Sequence, residues 1–219
     1  AQGFVHTLLD GAVNDKTVRT KFLKKAAKSL DGLDMLVQDL LTLSHIETGQ
    51  IKMHFESIDL YKLTEEVFEQ FEEKADKKDI KLRIDGQHHK VWVYADWQRI
   101  NQVMTNLISN AIKHSNDGDE VVVSFDSGKK NVVTSVRDSG EGIPAEHLPR
   151  IFERFYRVDK SRSREKGGTG LGLAIVKHIL DGHNSKPEVE SMEGKGSVFS
   201  FKLPRVKPDS PEIPDVLKN

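Results

Sequence analysis

Asn106, Asn110, Lys113 and His114 follow one another at steps of four, three and one residues. On a helix that spacing gathers all four on one face, while Ile100, Val103, Leu107 and Ala111 fall on another. An asparagine carbonyl is a hard oxygen ligand suited to Mg²⁺, which keeps much of its water and shares phosphate oxygens. An ammonium one turn further on suits the phosphates themselves. An ordinary amphipathic helix with a solvated face has the same pattern, so this stretch alone does not decide.

Three further segments could do related chemistry. Val132, Thr134, Val136 and Asp138 alternate onto one side of a strand, bringing a carboxylate out on the core side just before Ser139-Gly-Glu-Gly-Ile-Pro144 turns the chain. A buried carboxylate requires a donor, and the exocyclic amine of adenine is one. Glycines at 140 and 142 would let the backbone approach a base closely. Asp-Ser-Gly is equally a common turn. Gly167-Gly-Thr-Gly-Leu-Gly172 then runs into a helix with an apolar face of Leu173, Val176, Ile179 and Leu180. Glycines at a helix start offer free N–H groups and the positive dipole end to phosphates. The run is not G-x-G-x-x-G, since residue 173 is Leu, and no glycine-lysine is followed by Ser or Thr, which disfavours Rossmann and P-loop sites. Between these lie Ile151-Phe-Glu-Arg-Phe-Tyr-Arg157 and a charged stretch from Asp159 to Lys166. They read either as a loop closing over a triphosphate, with Phe152 and Phe155 anchoring its base, or as solvated surface.

The elements that must hold these residues follow from periodicity. Residues 3–13 and 15–48 read as two helices, with Phe22, Leu23, Leu30, Leu33, Val37, Leu40, Leu41 and Ile46 at three- and four-residue steps and a turn at Asn14-Asp15. Such a stripe cannot bury itself alone, which predicts a dimeric helical bundle. Thr48-Gly49 ends the helix, and alternating Ile51, Met53 and Phe55 suggest an extended connector. Helices at 59–77, 96–113 and 171–181 then interleave with strands near 80–85, 91–94, 120–126, 131–138, 187–191 and 197–203. Helices grouped with a mixed sheet make an α+β sandwich. The expected organisation is a helical hairpin at 1–48, a linker at 49–58, an α/β domain at 59–205 and a flexible tail at 206–219.

Composition narrows the chemistry. The 33 basic and 34 acidic residues leave a net charge of -1, so no global field draws the chain to nucleic acid or anionic lipid. The absence of cysteine removes thiol catalysis and cysteine-bound zinc. No apolar run approaches the roughly 20 residues that cross a bilayer.

Taken in order, these segments resemble the catalytic half of sensor histidine kinases. Asn-Leu-Ile-Ser-Asn-Ala-Ile-Lys-His at 106–114 is similar to that family's N box, Asp138-Ser-Gly-Glu-Gly142 to G1, Ile151–Arg157 to the F box and Gly168-Thr-Gly-Leu-Gly172 to G2. Gly194-Lys-Gly-Ser197 matches its last glycine turn, and Leu36–Glu47 with Gly49 resemble the end of its dimerisation hairpin. The resemblance implies a dimeric four-helix bundle followed by a Bergerat-type α/β sandwich that binds ATP and Mg²⁺. It implies that Asn110 ligates Mg²⁺ with Asn106 beside it, and that Lys113 and Arg157 steady the phosphates, so that Asn106, Lys113 and Arg157 serve catalysis. Asp138 would hold the adenine amine. His114, Gly140, Gly142, Ile143, Phe155, Gly168, Thr169, Gly170, Leu171 and Gly172 would complete the nucleotide pocket. Gyrase-like and heat-shock ATPases of the same superfamily carry a water-activating glutamate where this chain has Asn106, which disfavours hydrolysis.

The family then implies a protein-histidine kinase, cytoplasmic, homodimeric through its hairpin, that passes phosphate to the aspartate of a response-regulator receiver domain. Neither nucleic acid nor membrane contact within this stretch is implied. Three departures stand out. His114 replaces a common aromatic, Asp181-Gly-His-Asn-Ser-Lys-Pro187 replaces a small glycine turn and predicts an altered strand start, and the phosphoacceptor box would precede Ala1. His6 and His45 read as solvated helix histidines, and the chain as part of a longer, membrane-anchored receptor. A non-catalytic ATP-sensing dimeric scaffold and a gyrase-like ATPase are the competing readings.

Overall fold

The computed structural model describes residues 2–48, 52–86, 90–158 and 168–208, apart from the side chains of Ile46 and Glu47. The expectations for Gly49 to Ile51, for the charged stretch 159–166, for Gly167 and for most of the tail lie outside the described residues.

Helix α1 spans Gln2–Leu9 and α2 spans Lys16–Glu47. The first helix stops earlier than its apolar pattern suggests, because Gly11 takes a φ of 113° and a short 3-10 turn occupies Ala12–Asn14. Asp15 caps α2, its Oδ1 accepting from the N–H groups of Thr17 and Val18 at 2.8 and 3.0 Å. Phe4 stacks on Phe22 at 5.9 Å to join the two helices.

Strand β1 (Phe55–Asp59) realises the extended segment expected there, and it pairs antiparallel with β3 (Trp92–Asp96). Helix α3 (Leu60–Asp76), β2 (Lys81–Asp85), α4 (Trp97–His114), β4 (Glu120–Ser127), β5 (Asn131–Asp138), α5 (Gly172–Gly182), β6 (Glu188–Met192) and β7 (Gly196–Pro204) complete the chain. The five-stranded sheet runs β2-β4-β5-β7-β6, with β2 parallel to β4 and the other pairs antiparallel. A helical region followed by helices on a mixed sheet is the α+β architecture that the periodicities predict.

Helix α3 lies against β2, α4 against β4 and β5, and α5 beside α4. Their facing residues form one core, in which Leu63, Val67, Ile100, Met104, Ile108, Ile175 and Ile179 are wholly buried. Strand β6 begins at Glu188, immediately after Pro187, because Asn184 turns the chain at a φ of 52° and the proline then has no ladder bond to donate.

Candidate nucleotide site

Helix α4 is held at both ends, which fixes the residues along it. Asp96 caps its start, with Oδ1 accepting from Arg99 N–H at 3.0 Å and Oδ2 from His54 N–H at 2.8 Å. The Asp96 N–H in turn donates to His183 Nε2 at 3.0 Å, while His183 Nδ1 donates to the Ile179 carbonyl at 2.8 Å. Burial pushes His183 below its ordinary value of 6.5, as a neutral ring with one acceptor nitrogen requires. At the other end, the Lys78 ammonium donates to the carbonyls of Ile112 and Ser115, each at 2.9 Å, where the helix dipole is negative.

Between these clamps the two faces of α4 differ as the spacing predicts. Ile100, Val103, Leu107 and Ala111 are buried, while Asn106, Asn110, Lys113 and His114 are half-buried, which does not fit a freely solvated polar stripe. The glycine segment leading into α5 lies along that polar face. A β-carbon at Gly172 would stand 3.3 Å from Asn106 Oδ1, and one at Gly168 would collide with Lys113 Nζ. The segment is pinned from its other side, since Phe155 N–H donates to the Gly170 carbonyl at 2.9 Å.

Three buried side-chain polar atoms lack a hydrogen-bond partner among the described residues: Asn106 Nδ2, Arg157 Nη2 and Thr134 Oγ1. Two of the three belong to residues singled out from sequence. Buried donors left unpaired are costly unless something supplies acceptors, and phosphate oxygens are acceptors.

Asp138 ends β5 with only 6 % of its surface exposed, on the same side as buried Val132, Thr134 and Val136. Its Oδ1 accepts from Gly140 N–H at 3.0 Å. Burial pushes its carboxyl up, backbone bonds from Gly140 and Ser197 pull it back, and the nearby charges of Asp119 and Glu141 push it up again. A donor arriving there would stabilise the carboxylate. Gly140 and Gly142 have a more immediate task than admitting a base, since side chains there would run into the carbonyls of His114 and Met192. They let the Asp138 turn pack on the end of α4 and on the β6–β7 hairpin. Ile143 is tied into the same corner by donating its N–H to Ser191 Oγ at 2.8 Å.

The two phenylalanines of the 151–157 segment separate. Phe152 meets Phe199 edge-on at 6.4 Å and packs against the core, as an anchor should. Phe155 does not anchor through its ring, which is 56 % exposed; its backbone, at a φ of 59°, makes the attachment instead. Sequence reasoning also missed Asp39, Lys78, Asp96 and His183, because each acts through a contact distant in sequence. It did not anticipate that Glu141 would face His114, at 2.8 Å. A groove of about 820 Å³ between α3 and β2 shares no residue with this cluster and is lined by Glu65, Glu69, Glu72 and Asp76 around Phe68. Polyphosphate does not suit such walls.

A family model described as the histidine kinase-, DNA gyrase B- and HSP90-like ATPase matches residues 95–207. Sensor protein SrrB of Staphylococcus aureus is 33 % identical over 204 residues, covering 93 % of this chain and 35 % of that protein. The nucleotide-free catalytic domain of the histidine kinase ThkA is 34 % identical with a TM-score of 0.62, covering 70 % of this chain and 97 % of that one. ThkA in complex with the response regulator TrrA superposes with a TM-score of 0.75 at 28 % identity, covering 94 % of this chain and 56 % of that one. The chain therefore belongs to the histidine kinase-, DNA gyrase B- and HSP90-like ATPase family, on its sensor histidine kinase branch. It spans about a third of the length of the curated relatives it matches.

Proposed function

We propose that this chain is the ATP-binding kinase portion of a two-component sensor histidine kinase, working in the cytoplasm. Its reaction moves the γ-phosphoryl of ATP onto a histidine. The imidazole nitrogen forms a bond to phosphorus as the bond to the β-phosphate bridging oxygen breaks, releasing ADP, and the displaced ring proton passes to solvent. The phosphoryl then moves to an aspartate of a response-regulator receiver domain, in keeping with the partner of ThkA.

The observation that carries this reading is the closure of the glycine segment onto the polar face of α4, with buried, unpartnered donors at Asn106 and Arg157. In this reading Asp138 accepts the adenine amine, while Lys113 and Arg157 supply positive charge for the phosphates. Thr169 and the free backbone N–H groups at the start of α5 would form the opposite wall, with the buried Leu171 side chain seating that turn in the core. Among the described residues there is no group of three or more His, Cys, Asp or Glu able to hold a metal. Mg²⁺ would arrive with the triphosphate, and the Asn110 carbonyl is the protein ligand that suits it. When bound, Mg²⁺ neutralises phosphate charge. With an amide at position 106, no carboxylate stands there to activate water, which favours transfer over hydrolysis.

The exposed stripe of Leu30, Leu33, Val37, Leu40 and Leu41 on α2 supports homodimerisation through the hairpin. No helix among the described residues is long and apolar enough to cross a membrane. The decisive experiment supplies γ-labelled ATP and Mg²⁺ to a chain extended upstream to include a candidate acceptor histidine. Acid-labile, alkali-stable label on that histidine is expected. Steady release of phosphate without an acceptor would instead favour the gyrase-like reading, and binding without either outcome a scaffold.

A further inference from the structure

Helix α2 does more than present an apolar stripe to solvent; a second face lies against α5. Leu36 and Leu43 make the apolar part of that seam, Leu43 being 2 % exposed and continuous with the core. Between them stands a carboxylate. Asp39 is half-buried, and its Oδ2 accepts a hydrogen bond from Thr169 Oγ1 at 2.7 Å, across 130 positions of sequence.

The Thr169 hydroxyl has its only proton committed. It donates that proton to Asp39 and accepts from the N–H of Leu171, the residue that caps α5, at 3.2 Å. An apolar residue at position 39 would continue the Leu36–Leu43 seam at no desolvation cost, so the carboxylate gives the seam a specified register at one loop residue. Burial pushes the Asp39 carboxyl above its ordinary value, and the Thr169 bond pulls it only part of the way back.

Thr169 belongs to the glycine segment that closes on α4. We propose that Asp39 is a positioning residue through which the hairpin holds this segment, and that nucleotide phosphate competes with Asp39 for the Thr169 hydroxyl. The proposal rests on the ATP reading above and extends it to communication between hairpin and pocket. A hydroxyl has one proton to donate, and it goes to the carboxylate or to a phosphate oxygen but not to both. The Asp39 anion also opposes an incoming polyphosphate in the same seam. Docking of α2 and binding of nucleotide are therefore negatively coupled. By linkage, nucleotide loosens the α2–α5 seam by the factor through which the seam weakens nucleotide. The consequence suits phosphoryl transfer, because a loaded pocket must leave its seat to reach an acceptor.

The whole chain has no cysteine, so Ser44→Cys and Lys195→Cys, both at exposed positions, allow paired spin labels to report the distance between α2 and the α/β layer. The probes are Mg-ADP and an ATP analogue with a non-hydrolysable β,γ bridge. In the labelled parent, nucleotide is expected to lengthen or broaden the distance. Asp39→Ala should show that distribution without nucleotide and bind the analogue about three- to tenfold more tightly. Asp39→Asn keeps the volume and an acceptor oxygen while removing the charge, and should move both readouts the same way by no more than the alanine variant. Unchanged affinity and distance in Asp39→Ala, with nucleotide bound equally by both chains, would overturn the proposal and leave the ATP reading standing. Failure of every variant to bind nucleotide, with the distance still responding to Asp39→Ala, would overturn the ATP reading and with it the competition, but not the seam.

Discussion

Helices α2 and α4 are both amphipathic, yet they end in opposite conditions. The 18-residue α4 is seated within the chain: seven residues are buried in the core, both ends are clamped, and the glycine segment lies along the half-buried polar face. The 32-residue α2 places Leu36 and Leu43 against α5 and leaves Leu30, Leu33, Val37 and Leu41 exposed. Amphipathicity is thus the same sequence signal serving two ends. In α4 it seats the helix in the core of the chain; in α2 it leaves an apolar face exposed, the face proposed above to meet another copy.

Substitutions can break that comparison, and the largest effect belongs to the core face of α4. Leu107→Ala removes a side chain 2 % exposed between two predicted site residues. It should cost about 2–5 kcal/mol of stability by urea denaturation. A loss below about 1 kcal/mol would mean that the helix is not seated as described.

Asp138→Asn replaces an acceptor-only group by an amide that must be oriented. Adenine nucleotide affinity should fall about ten- to hundredfold by calorimetry, or about 1.4–2.7 kcal/mol, with the fold retained. Equal weakening of a nucleotide whose base lacks an exocyclic amine would contradict the base-reading role.

A smaller effect, readable from pH, concerns His183. Its pKa is lowered in the folded chain, so the stability it contributes is complete above the ordinary value of 6.5 and is lost as pH falls below it, when the unfolded chain takes up a proton that the buried ring resists. Unfolding should therefore become easier in mildly acidic solution, and His183→Gln should flatten that part of the profile. An unaltered profile would show that the Asp96–His183 clamp is not what responds.

The smallest effect on folding is expected at Leu33, which is 56 % exposed. Leu33→Gln should change monomer stability by within about 0.5 kcal/mol while shifting sedimentation toward the single chain. A large loss of intrinsic stability would place Leu33 in a core that the exposed stripe does not have.

Periodic elements were the legible part of the sequence. The spacing of Ile100, Val103, Leu107 and Ala111 marks the buried face of α4, and the alternation from Val132 to Asp138 brings the carboxylate to the core side, because both signals are local. The end of α1 was less legible, since its apolar pattern runs past the backbone break at Gly11. The clamps on α4 could not be read at all: Lys78 reaches carbonyls 34 and 37 positions away, and His183 meets Asp96 across 87. Such contacts are set by tertiary packing, not by a spacing rule. Phe155 teaches the same point on a smaller scale. Its residue type suggested a ring anchor, whereas the attachment is made by its backbone N–H.

Hydrogen exchange of the whole chain with and without Mg-ATP tests the nucleotide site most directly. Protection is expected over residues 106–114, 138–143 and 168–173. Protection confined to the groove between α3 and β2, or absent from both α4 and the glycine segment, would contradict the site.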